Sequence, residues 1–142
     1  MRAMIFARVF MLLFGLLLFF ASTARAQYPV INAEQLQTDL KSNNNMLLID
    51  SRMPEEYEQA HIPAAVSIPA HRMNMETAKL PKDKTTLLVF YCRGLGCTLS
   101  KTAASAAVGM GYTHIRIYQA GMPDWLLKSY PVVKGKLPGK LK

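Results

Sequence analysis

The 142-residue chain contains two cysteines, Cys92 and Cys97, both in the run Phe90-Tyr91-Cys92-Arg93-Gly94-Leu95-Gly96-Cys97-Thr98-Leu99-Ser100. An apolar run leads into this segment and a small-residue run leaves it, so a strand, a glycine-bearing turn and a helix are expected in succession. Gly94 and Gly96 open backbone angles closed to other residues, which lets successive N–H groups turn toward one point. The helix that follows aims its positive end at the same point. A thiol placed there is expected to ionise below the ordinary value of about 8.5, because its thiolate gains hydrogen bonds and a favourable dipole. Arg93 adds an adjacent positive charge. The chemistry that fits is a nucleophilic Cys92 in an anion-binding loop formed by Arg93, Gly94, Leu95, Gly96, Cys97 and Thr98. The competing reading is an inert cysteine buried at a strand end, common for this residue type. The glycines and the small-residue helix weigh against it.

The elements that must position this loop can be read on either side of it. Thr85 to Tyr91 is the strongest strand signal and runs straight into Cys92. Met46-Leu-Leu-Ile49 is a short continuous apolar run, as expected of a strand buried on both faces of a parallel sheet. Val66 to Ile68 and His114 to Tyr118 supply two further strands. Helices are expected over Ala33 to Leu40, broken by the Ser42 to Asn45 cluster, and from Pro54, with Glu55 and Glu56 in its first turn. Another should run from Thr98 to Val108, with Gly109 and Gly111 as stop signals, and a short one from Pro123 to Lys128. Strands and helices in alternation imply an α/β fold, a central mostly parallel sheet with helices on both faces. Ligands of such sheets bind beyond the carboxyl ends of the strands, where Cys92 falls.

The first twenty-six residues look like an address. Arg2 and Arg8 precede an apolar run from Val9 to Phe20, and Ala24-Arg25-Ala26 has the small-x-small pattern of a secretory cleavage site. The run is shorter than the ~20 residues needed to span a bilayer, so cleavage after Ala26 is expected rather than stable membrane insertion. The expectation is therefore a periplasmic or otherwise exported single domain over 27–142, ending in a short basic tail over 134–142. Removing Arg2, Arg8 and Arg25 lowers the formal charge from +8 to +5, most of it from Lys134, Lys136, Lys140 and Lys142. The tail reads as a solvated end. No aromatic residues interleave with its lysines, so nucleic acid is not expected as a partner.

Taken together, these segments resemble the rhodanese-like family. The resemblance is carried by Ile31-Asn-Ala-Glu-Gln-Leu36, Asp50-Ser-Arg52, Glu56-Tyr57 leading to His61-Ile62-Pro63-Ala64-Ala65, Tyr91-Cys92 with its loop, Gly121-Met-Pro-Asp-Trp125 and Tyr130-Pro131-Val132. It implies a sulfurtransferase. Cys92 would attack a sulfane sulfur donor such as thiosulfate or polysulfide, hold the sulfur as a persulfide, and pass it to a thiol or other thiophilic acceptor, small or protein. It implies no separate cofactor, the persulfide being the intermediate. A six-residue loop counted from the cysteine favours sulfur, whereas phosphatase relatives use a longer one. Many family members carry arginine at the sixth loop position. Here that residue is Cys97, which weakens the case for phosphatase chemistry and for efficient use of thiosulfate; Arg93 would be the compensating cation.

Cys97 leaves two readings open, a resolving thiol that releases sulfide from the Cys92 persulfide or a small loop residue turned to the core. The first makes the chain a sulfur carrier or thiol-disulfide redox module rather than a fast enzyme. A structural metal is not expected, because zinc wants four ligands and His61 and His114 would have to converge on the loop. Asp50 and Arg52 are expected to pair and fix their own loop, and His61 to set a turn by local hydrogen bonds. Trp125 is expected to cap the core, with an aromatic wall for substrate as its other reading. Met122 is a candidate for the pocket mouth.

Overall fold

A computed structural model describes residues 28–42 and 45–140. The expected targeting segment and its cleavage site lie outside them. Among the described residues no helix is long and apolar enough to cross a membrane.

Four parallel strands form one sheet in the order β2-β1-β3-β4: β1 Met46–Asp50, β2 Val66–Ser67, β3 Leu87–Tyr91 and β4 Ile115–Tyr118. The helices are α1 Ala33–Lys41, α2 Pro54–Gln59, α3 Leu99–Gly109 and α4 Gly121–Leu127. The chain therefore has the expected α/β architecture. β3 is central, pairing with β1 from Leu87 opposite Met46 to Tyr91 opposite Asp50, and with β4 on its other side.

Side chains alternate across β3, which explains its unbroken apolar sequence. Leu88 and Phe90 pack on one face with Ile49, Ile117 and the small residues Ala103, Ala104 and Ala107 of α3. Val89 and Tyr91 pack on the other with Leu36 of α1, Tyr57 of α2 and Met122 and Trp125 of α4. Alanines on α3 let that helix lie close to the sheet. α1 starts where the Asn32 side chain accepts the Gln35 N–H at 2.8 Å, and α2 where Pro54 occupies the first turn.

Several boundaries depart from the sequence expectation. β3 begins at Leu87, because Thr85 and Thr86 are held in a turn by Asp83. Gly109 remains helical, and Gly111, at φ +92°, makes the left-handed turn that ends α3. Between β2 and β3 the chain makes two 3-10 turns, Ala70–Arg72 and Thr77–Lys79, the first of which carries the buried Ala70 into the α3 face. Val30 forms a parallel bridge with Ile117 of β4.

The basic tail is not simply a solvated end. His61 and Val133 exchange backbone hydrogen bonds, Ala64 N–H donates to the Pro138 carbonyl at 2.8 Å, and Gly135 N–H donates to that of Glu58 at 2.7 Å. Lys134, Lys136 and Lys140 are exposed, while the backbone of the segment is tied to the α2–β2 connection.

Candidate active site

Cys92 follows the last residue of β3, and Gly94, at φ +117°, reverses the chain so that α3 can start at Leu99. Gly96 has no left-handed angle, and a side chain there would meet nothing within 4 Å, so only one of the two expected glycines is required by the backbone. The loop is supported from α4. Met122 N–H donates to the Cys92 carbonyl at 3.0 Å. Gly121, at φ +63°, packs so closely that a Cβ would lie 2.4 Å from the Cys92 carbonyl oxygen and 2.8 Å from the Gly94 nitrogen.

A hollow of about 500 Å³ opens over the loop, lined by the whole run from Arg93 to Leu99. Cys97 faces it and is partly exposed, while Cys92 lies beneath, only 1% exposed. The Cys92 thiol donates toward the Ser100 Oγ at 3.3 Å and lies 3.7 Å from the Cys97 carbonyl oxygen. A larger hollow of about 660 Å³ sits at the opposite, amino ends of β3 and β4, among Tyr28, Leu87, Val108 and His114, and contains no thiol.

The ionisation of the pair reverses the expectation for Cys92. Burial pushes the Cys92 thiol up, the Cys97 thiol beside it pushes the same way, and hydrogen bonds from the Ser100 hydroxyl and N–H oppose them without prevailing. Cys97 is lowered. Burial works against its thiolate, but the Cys92 S–H, the N–H groups of Arg93 and Leu99 and the charge of Arg93 together outweigh burial. The loop amides thus favour the Cys97 sulfur, and the Cys97 N–H itself is spent on the Gly94 carbonyl at 3.0 Å.

Arg93 does not reach over the loop as a free cation. Its guanidinium takes both carboxylate oxygens of Glu56, with Nε 2.8 Å from Oε1. This ion pair holds Glu56 below the usual carboxylate range.

Beneath the site, Asp50 and Arg52 pair in a buried fork, with Arg52 Nε 2.9 Å from Asp50 Oδ1. A second guanidinium nitrogen donates to the Ala60 carbonyl at 2.8 Å. Tyr91 O–H donates to Asp50 at 2.7 Å and accepts the Ile62 N–H; burial and the Asp50 charge keep this phenol protonated well above its ordinary range. The network fastens the ends of β1 and β3 to the α2–β2 connection.

His61 is fully buried, stacked on Tyr57, with Nδ1 2.8 Å from the Tyr57 carbonyl and Nε2 3.0 Å from that of Leu137. His114 contacts the Thr85 carbonyl, so neither histidine converges on the loop. Trp125 is wholly buried, its indole N–H donating to Pro131 at 2.8 Å, and offers no wall to a substrate. Met122 is likewise buried rather than at the mouth. Sequence reasoning missed Ser100, Gly121 and the Glu56 partner of Arg93. Ser100 alone had a local signal, a hydroxyl in the first turn after the loop.

A parallel sheet with a cysteine loop between the central strand and a helix is the architecture of rhodanese-like domains, and residues 32–128 match the Rhodanese-like domain family. The chain belongs to that family. It is 30% identical over 103 residues to a sulfurtransferase of Allochromatium vinosum, covering 72% of this chain and 92% of that one. It is 35% identical over 88 residues to the HTH-type transcriptional regulator Rv0324 of Mycobacterium tuberculosis, covering 62% of this chain but 38% of the regulator. Among solved structures, a rhodanese with anions from E. coli is 32% identical with a TM-score of 0.52, covering 63% of this chain and 99% of that one.

Proposed function

We propose that this chain is a rhodanese-type sulfurtransferase that takes sulfane sulfur from thiosulfate or polysulfide onto Cys92 and passes it to a thiophilic acceptor. The observation that carries the reading is the placement of Cys92, at the carboxyl end of the central strand, with the Ser100 Oγ 3.3 Å from its sulfur and the Ser100 N–H beside it in the first turn of α3. Once ionised, the sulfur would gain both hydrogen bonds and the positive end of an eleven-residue helix. Family membership and the sulfurtransferase relative support the same reading.

Thiosulfate would lose its outer sulfur to Cys92 and leave as sulfite, and an acceptor thiolate would attack that sulfur and free Cys92. Because Cys92 is buried and protonated in the resting site, ionisation belongs to the activation step. The signal peptide expected over 1–26 would put this chemistry in the periplasm or outside the cell.

The test is intact-mass analysis with peptide mapping after exposure to thiosulfate or inorganic polysulfide, paired with thiocyanate formation from thiosulfate and cyanide. A gain of one sulfur on Cys92, and loss of both signals in Cys92→Ala, are expected. A wild-type chain that acquires no sulfur from either donor would refute the proposal.

A further inference from the structure

Both thiols belong to one loop, yet they are not equivalent. Cys97 faces the hollow and Cys92 lies under it, its sulfur 3.7 Å from the Cys97 carbonyl oxygen. A core-filling role for Cys97 is at odds with its partial exposure. The N–H groups of Arg93 and Leu99 turn toward the Cys97 sulfur, so amides expected to serve a bound anion serve this side chain. Arg93, bound to Glu56, leaves no free guanidinium over the loop. A nucleophile thus stands in the sixth loop position, within reach of the sulfur that would carry the persulfide.

We propose that Cys97 is a resolving thiol, which attacks the Cys92 sulfur of the persulfide, releases hydrosulfide and closes a Cys92–Cys97 disulfide. The inference rests on the Cys92 persulfide described above and adds a second outcome to it. The electron pair of the Cys97 thiolate forms the new S–S bond. The bond between the Cys92 sulfur and the outer sulfur breaks, its pair leaving on the outer sulfur, which keeps its proton and departs as HS⁻. In balance, Cys92–S–SH and Cys97–S⁻ give the disulfide and HS⁻. The sulfane sulfur is reduced by two electrons that the two protein sulfurs supply. A further turnover requires an external dithiol or small thiol to reduce the disulfide. An acceptor that arrives first takes the sulfur as sulfane; otherwise it leaves as sulfide.

The experiment uses the reduced chain under anaerobic conditions, without added thiol, and thiosulfate as donor. The other product of thiosulfate is sulfite, so each sulfide released reports the resolving step. Inorganic tetrasulfide serves as a second donor for mass analysis. Wild type should yield a mapped Cys92–Cys97 disulfide with one sulfide released for each. Cys97→Ser and Cys97→Ala should instead hold the extra sulfur on Cys92 and release sulfide at least tenfold more slowly. Wild type that keeps a stable persulfide, a disulfide formed without sulfide, or a Cys97→Ser chain that releases sulfide at the wild-type rate would each overturn the proposal while leaving the Cys92 persulfide intact. Folded Cys97 variants that take up no sulfur from either donor would overturn the persulfide itself, and the resolving step with it.

Discussion

At Cys92 and Cys97, local sequence predicts a thiol in a loop but not which thiol the loop favours. The amides that a helix start and a glycine turn provide are directed in part at Cys97, and burial under the loop holds Cys92 protonated. Iodoacetamide is therefore expected to label Cys97 before Cys92 near neutral pH, with peptide mapping to separate them. The lowered Cys97 value means that its labelling persists as pH falls below the ordinary thiol range and is lost only on passing through the depressed value. Cys92 labelling should rise only above that range. Cys97→Ser should move the Cys92 titration downward, since the Cys97 thiol is one of the two causes that push it up, and Ser100→Ala should move it further upward. Arg93 offers a second test. Glu56→Gln removes its ion-pair partner and frees the guanidinium for an anion, so KM for thiosulfate should fall by roughly threefold to fivefold, the scale of a surface ion pair of up to about 1 kcal/mol. Arg93 and Glu56 are far apart in sequence, which is why the adjacent arginine read as a free cation.

The elements were legible wherever burial writes a pattern. Strands covered on both faces appear as continuous apolar runs, as in Leu88 to Tyr91, and helix starts carry local chemistry, as at Asn32 and Pro54. The 3-10 turns after β2 have no side-chain cap and no such signature. The support that α4 gives the loop was also invisible, because it depends on a glycine whose neighbour is nearly thirty residues away. Gly121→Ala would place a Cβ against the Cys92 carbonyl at a left-handed angle that alone costs about 1–2 kcal/mol. A loss of about 2 kcal/mol or more in denaturant unfolding is expected, together with a fall in sulfur uptake, because the displaced atoms belong to the Cys92 loop. Gly96→Ala, with open space around it and no left-handed angle, should stay within about 0.5 kcal/mol in the same measurement.

Across the whole molecule, the C-terminal segment closes over the connection that holds His61. The composition of the tail, rich in lysine with glycine and proline, conceals this, since its attachments use backbone groups that every sequence carries. Deleting 134–142 removes the hydrogen bonds of Gly135 and Pro138 and the Leu137 carbonyl beside His61. At about 1 kcal/mol net for each bond, a loss of about 2–3 kcal/mol is expected in thermal or denaturant unfolding. The margins of the sheet have a consequence of their own. β2 is two residues long, and Val30 bridges Ile117 on the β4 side. An open sheet presents unpaired N–H and C=O rows that recruit strands from other chains, and short or covered margins suppress that hazard. This domain offers an incoming strand little backbone to copy, so it should resist self-association into β-rich aggregates even at high concentration.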